Sequence, residues 1–223
     1  MHGGLMRKTA VVVDDASVVW DQTVLLAPTS LALASGQIMA VTGSNGAGKT
    51  TLLRIVAGRL APTFGTVAVA GEAPDEKDSR FRARVAALLG MPPLARNLTV
   101  REHLELVTTS WGWSLAESRD RVEALLAELT IASLARRFPH ELSSGQTQLF
   151  ALALTMARPF EVLLLDEPEQ RLDADRMETV GTALRARVEG GASVLMASHN
   201  ALLVDQVADE VLVLTESAYE PGR

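Results

Sequence analysis

Gly43-Ser44-Asn45-Gly46-Ala47-Gly48-Lys49-Thr50 decides how the rest of this 223-residue chain is read. The octet fits the phosphate-loop pattern G-x-x-x-x-G-K-[ST] through Gly43, Gly48, Lys49 and Thr50. Glycines let the backbone curl so that successive N–H groups face one anion. Lys49 brings a cation within reach of the β- and γ-phosphates, and the Thr50 hydroxyl is a suitable ligand for Mg²⁺. The flanks suit the loop. Residues 38–42, Ile-Met-Ala-Val-Thr, read as a short apolar strand before it, and residues 51–57, opening on Thr51, read as a helix stopped by Gly58. A Gly-rich turn that only capped a helix would need no such strand. The expected ligand is a nucleoside triphosphate with Mg²⁺, its phosphates wrapped by residues 43–51.

A second signal lies more than a hundred residues on. Val162-Leu163-Leu164-Leu165 reads as a buried strand, and Asp166-Glu167 stands at its carboxyl end. Ligands of open α/β sheets bind at that edge. Asp166 is placed to hold Mg²⁺, directly or through water, and Glu167 to polarise a water for attack on the γ-phosphate. Solvated acids at a strand end would look the same in isolation; the phosphate loop is what separates the two readings.

The bulk properties restrict the alternatives. Apolar residues make up 48% of the chain, enough for a real core. There is no cysteine, which excludes disulfides and any thiolate metal site. The formal charge of −6 argues against a general nucleic-acid surface, and Arg80, Arg82 and Arg84 read as one solvated stretch. No run approaches the roughly eighteen apolar residues of a membrane span, and residues 1–15 hold no apolar segment of secretory length.

Along the chain, residues 9–13, 23–26 and 65–70 read as short strands that could form a small antiparallel layer. Residues 72–84 are expected to be a loop and a short helix. From residue 100 to 138 the pattern turns helical, with a capping-box spacing at Ser114 and Glu117 and apolar repeats at Val122, Leu125, Leu126 and Leu129. Helices at 146–156 and 176–188 and strands at 162–165, 193–197 and 211–214 complete an alternation that implies a parallel sheet covered on both faces. The expected fold is α/β, a phosphate-loop NTPase core (residues 1–89 and 139–223) with a small antiparallel β subdomain and an inserted helical subdomain (residues 90–138).

Leu142-Ser143-Ser144-Gly145-Gln146 resembles the Leu-Ser-Gly-Gly-Gln signature of ABC (ATP-binding cassette) ATPases, and it precedes the Asp-Glu strand by about twenty residues, as in that family. His199 in Ala197-Ser198-His199-Asn200 is similar to the family's switch histidine, Trp20 stands where the family has an aromatic stacked on adenine, and residues 97–104 resemble the entry to its helical subdomain. The likeness runs from about residue 11 to residue 214. It implies ATP hydrolysis at the cytoplasmic face of a cell membrane, with Lys49, Glu167 and His199 catalytic. Thr50 and Asp166 would hold the metal, and Ser143, Ser144, Gly145 and Gln146 would face the nucleotide of a second cassette, homomeric or heteromeric. The output would go to a separate membrane-spanning transporter subunit docked beside the Gly90 loop. A weakly hydrolysing nucleotide-binding scaffold and a soluble ABC-type ATPase not tied to transport are the other readings.

Each residue also has a bland reading. The serines cap a helix, a histidine after a strand is often structural, and Trp20 could pack against Val18 and Leu25. His2, His103 and His140 are read as structural, the methionines as core filler, and Trp111 and Trp113 as packing or subunit-contact residues. Two departures from the family pattern stand out. Gly90 occupies the position of a usual glutamine. Glu169-Gln170-Arg171 replaces a stretch nearer Thr-Ser-Gly before Leu172-Asp173.

Overall fold

The computed structural model describes residues 8–215; His2 lies outside them. Strands β1 (Thr9–Trp20), β2 (Thr23–Ala34) and β4 (Phe64–Val69) form an antiparallel sheet in the order β2-β1-β4. The main sheet has the order β5-β6-β7-β3-β8 and every neighbouring pair is parallel: β3 is Ile38–Gly43, β5 Val85–Leu88, β6 Val162–Asp166, β7 Ser193–Ala197 and β8 Glu210–Leu214. The helices are α1 (Lys49–Val56), α2 (Ser79–Arg84), α3 (Val100–Ser110), α4 (Leu115–Glu128), α5 (Ser144–Met156), α6 (Ala174–Glu189) and α7 (Ala201–Val207).

The period-2 geometry of a strand explains why there are two cores. Leu163 and Leu165 of β6, Ile38 and Ala40 of β3, and Val194 and Met196 of β7 all enter one apolar cluster with α3, α4, α5 and α6. Their alternates Val162 and Leu164, Met39 and Val41, and Leu195 and Ala197 enter a second cluster with α1 and the antiparallel sheet. The strands read as unbroken apolar runs because both faces are covered. The helical segment hangs on the first cluster: Val100, Leu104, Val122, Leu126 and Leu129 are fully buried there.

Helix starts are specified locally. Thr99 and Ser114 each close a capping box with the carboxylate three residues on, Glu102 and Glu117. Backbone N–H donation from Thr99 and Ser114, reinforced by their hydroxyls, holds the Glu102 and Glu117 carboxyls below the usual range.

Several expectations need correction. The strands expected at 9–13 and 23–26 run to 12 residues each. Register shifts after Val13 and Ala16 break the alternation, and Asp15 has φ 45, so the sequence pattern stops where the strand does not. Val85–Leu88, Val-Ala-Ala-Leu, is an edge strand that no expectation included; pairing with Val162–Leu165 overrides its weak local preference. Helix α7 was likewise not expected. The arginine stretch is solvated as its composition implies, with the Arg80 side chain 84% exposed and Arg82 exposed, and its contacts are at the surface: Arg80 pairs with Asp78, Arg84 with Glu72 and Glu161, and Arg82 donates to the carbonyls of Glu76 and Lys77.

Phe150, fully buried on α5, lies edge-on to His103 at 5.4 Å between ring centroids. Phe150→Ala is expected to destabilise the protein by about 3–5 kcal/mol in urea unfolding. A loss below about 1 kcal/mol would mean that the site collapses around the deletion.

Candidate active site

The phosphate loop connects β3 to α1. Gly48, the residue before the helix, has φ 99 and supplies no side-chain cap, and α1 carries no acid in its first turn. The first N–H groups of α1 therefore have no side-chain acceptor of this kind and point out of the helix end. A Cβ on Gly48 would lie 2.8 Å from the Leu25 carbonyl oxygen and 2.8 Å from Leu26 Cδ1, so the antiparallel sheet sets the loop's position. Lys49 is 7% exposed, and its Nζ donates to the carbonyls of Gly43 and Ser44, both at 2.8 Å. Ser44, Asn45 and Gly46 stay exposed at the rim, while Ala47 is buried.

The sheet then brings the acids to the loop. Thr50 Oγ1 donates to Asp166 Oδ2 at 2.7 Å. A hydroxyl and a carboxylate oxygen at this spacing form a hard-oxygen pair suited to Mg²⁺, which keeps waters and phosphate oxygens as its remaining ligands. Glu167 follows with φ 50, a left-handed conformation held by its N–H on the Ala197 carbonyl at 2.9 Å. His199 Nε2 lies 3.3 Å from Glu167 Oε1. Thr50, Asp166 and Glu167, with Gly90, Gln148, Gln170 and Arg171, line one cavity of about 360 Å³.

The signature segment stands apart. Ser143 caps α5, accepting from the Gln146 N–H, and the Gln146 side chain accepts from the Ser143 N–H in return. Ser143 and Ser144 are exposed, Gly145 is buried, and none of residues 143–146 lines the cavity beside Thr50. Gly145 allows a close approach: a Cβ there would lie 2.7 Å from the Arg171 carbonyl oxygen. Trp20 is 72% exposed at the end of β1, so it is no core residue. Thr51 is half-buried in the first turn of α1.

Other residues singled out by sequence make contacts away from the phosphate loop. His103 accepts from the Ala95 N–H at Nε2, which leaves Nδ1 to donate to the Thr99 carbonyl. His140 stacks on Phe138. Trp113 lies under Arg121 and Trp111 under Arg158. Beside the 90s segment, Pro92, Pro93, Leu98, Leu106, Trp111 and Arg158 line a groove of about 440 Å³. Burial, and then the positive charges of Arg82 and Arg59, pull the Arg158 guanidinium below its ordinary range.

The ABC transporter family model matches residues 26–170. The chain belongs to that family. Within it, the chain is similar to subunits named as ATP-binding proteins. It is 38% identical over 186 residues to a cobalt import ATP-binding protein of Rhodobacter capsulatus, covering 82% of this chain and 66% of that one. It is 32% identical to a daunorubicin resistance ATP-binding protein of Streptomyces coeruleorubidus, covering 94% of this chain and 66% of that one. The chain thus spans about two thirds of the length of either relative. Among solved structures, an ATP-binding subunit of an ABC transporter superposes with a TM-score of 0.82 at 25% identity, over 94% of this chain and 89% of that one.

Four side chains at the site carried no sequence motif of their own. Gln148 Nε2 reaches the carbonyls of Glu167 and Pro168, both at 3.3 Å. Gln170, Glu169 and Ser198 make side-chain contacts around Glu167 and His199. For Glu169 and Gln170 the available signal was their departure from the family pattern; for Gln148 and Ser198 there was none.

Gly145→Ala forces a methyl against a backbone oxygen that cannot rotate away. It is expected to lower stability by about 1–3 kcal/mol, read by chemical denaturation. An unchanged midpoint would show that the turn at Arg171 yields freely.

Proposed function

We propose that this chain binds Mg-ATP at residues 43–51 and hydrolyses it with Glu167 as general base, driving a solute through a separate membrane subunit. The observation that carries this reading is the 2.7 Å contact between Thr50 and Asp166, which joins the phosphate loop to the acidic strand end.

The phosphates lie on the loop N–H groups and the open end of α1, where backbone dipoles and Lys49 offset their charge. Mg²⁺ on Thr50 and Asp166 would neutralise charge on the phosphate oxygens. A water beside Glu167 attacks the γ-phosphorus in line. Its proton passes to the Glu167 carboxylate as the oxygen–phosphorus bond forms, and the bond to the β-phosphate oxygen breaks, leaving ADP and inorganic phosphate. His199, at the end of β7, donates to a γ-phosphate oxygen or to the water. Trp20 offers an exposed ring for adenine.

The exposed tip of α5, away from its own cavity, supports a head-to-tail pair of cassettes in which Ser143, Ser144, Gly145 and Gln146 meet the other copy's phosphates. The apolar groove beside the Gly90 segment supports docking of the membrane subunit there, with residues 90–138 as a helical subdomain that moves on the core. No helix among the described residues is long and apolar enough to cross a membrane, in keeping with a peripheral, cytoplasmic position on that partner. The acidic balance gives no support to a nucleic-acid partner. One curated relative is named for import and another for drug resistance, so solute and direction belong to the partner.

Glu167→Gln is expected to bind ATP normally while phosphate release falls about 10²–10⁴-fold, and Lys49→Ala to lose affinity for ATP in calorimetry. Wild-type phosphate release from Glu167→Gln would reject Glu167 as the base. Trp20→Ala is expected to weaken ATP and ADP alike by about tenfold, as loss of one stacked base does; unchanged affinities would remove Trp20 from the site.

A further inference from the structure

The turn after β6 carries Glu169 and Gln170, and both side chains are engaged at the site. Gln170 Nε2 donates to Glu167 Oε2 at 3.1 Å. Glu169 Oε1 accepts from Ser198 Oγ at 2.5 Å and from the His199 N–H at 3.1 Å. His199 Nε2 returns to the other oxygen of Glu167 at 3.3 Å. These contacts close a ring. It runs from the Glu167 carboxylate through the His199 side chain to the His199 backbone, on to the Glu169 side chain, along the chain to Gln170, and back to Glu167.

Two features say that this ring is more than surface decoration. Glu169 Oε2 is buried with no hydrogen-bond partner among the described residues, a costly place for a carboxylate oxygen that packing alone would not select. The same turn also holds a strained point: the Glu167 carbonyl accepts from the Gln170 N–H at 3.1 Å while Glu167 itself has a positive φ. Strands β6 and β7 are neighbours in the sheet, so the ring ties two adjacent strand ends at the reacting edge.

A free glutamate side chain samples many rotamers, and its carboxylate plane turns broadly about the last bond. The Gln170 donor on one oxygen and the His199 ring beside the other restrict that plane while leaving lone pairs for water. We propose that Gln170 and Glu169 are positioning residues for hydrolysis. Gln170 sets the plane of the Glu167 carboxylate, and Glu169, through Ser198 and the His199 N–H, aims the imidazole. The assignment rests on Glu167 being the base.

The test is phosphate release by the purified full chain, with ATP titration and thermal melting of every variant. Gln170→Ala is expected to lower kcat about tenfold with KM within about twofold of wild type, the pattern of a misaimed group rather than a lost binding contact. Glu169→Ala should do the same, and Glu169→Gln, which keeps the accepting oxygen, should restore most of the loss. The double variant Glu167→Gln/Gln170→Ala should be as slow as Glu167→Gln alone, because Gln170 acts through that carboxylate. The proposal is overturned if Gln170→Ala and Glu169→Ala turn over like wild type, if their loss only tracks a lowered melting temperature, or if the double variant is slower than Glu167→Gln by the full factor of the single change. A slow Glu167→Gln beside a normal Gln170→Ala rejects positioning alone. A wild-type rate in Glu167→Gln rejects the base and, with it, the ring's function.

Discussion

The site depends on one constraint: the parallel strands β3, β6 and β7 lie side by side with their carboxyl ends on the same edge. That arrangement brings Thr50 to 2.7 Å from Asp166 across 116 residues of sequence, and it puts the end of β7, with Ser198 and His199, beside Glu167. Parallel pairing requires crossovers, and the crossovers here are helices that cover both faces. Burial of the strands and convergence of the functional groups are therefore one event. A slip of one residue in the β6 pairing would exchange Leu163 with Leu164 between the two cores and carry Asp166 away from Thr50.

The two cores divide the labour. Helix α1, which opens at the phosphate loop, packs in the cluster shared with the antiparallel sheet. Helix α5, which opens at Ser143, packs in the other cluster with α3 and α4. The main sheet is the wall between them. The two helix ends that present backbone N–H groups are thus attached to different bodies of side chains, and the residues at the α5 tip do not share the cavity of the α1 tip. The junction is at Gly145, whose missing side chain admits the Arg171 carbonyl, so that the tip of α5 rests on the turn carrying Glu169 and Gln170.

What the sequence disclosed follows from how local each cause is. The phosphate loop was legible because its glycines, lysine and threonine are contiguous, and β6 because four apolar residues run into two acids. Helix caps at Ser114 and Ser143 were legible because a cap is decided within four residues. Val85–Leu88 was not, since alanines carry little strand preference and only Val162–Leu165 makes them a strand. The length of β1 was hidden by bulges around Asp15. The contacts of Glu169 and Gln170 were out of reach for a further reason. Their oddity was visible against the family pattern, but a replacement of small residues by larger polar and charged ones that includes Arg171 reads as added charge at a seam until Ser198 and His199 are known to stand opposite.

The reading of the serine-bearing segment as a helix cap and its reading as an anion site are compatible. A cap consumes an acceptor: Ser143 Oγ takes the Gln146 N–H, which spends lone-pair density on oxygen and leaves the hydroxyl proton. A phosphate consumes donors, so the same hydroxyl can close the helix and still offer its proton outward. The α1 end solves the problem differently. Gly48 provides no side-chain acceptor, its carbonyl taking only the Leu52 N–H, so the first N–H groups stay available and Lys49 adds charge beside them. One end is a full cradle for a polyphosphate, and the other is a capped end with a hydroxyl proton to spare. Two such ends on one chain are of unequal strength, the order that the proposed pairing of cassettes requires: a nucleotide held first by its own loop and only then met by the tip of a second copy.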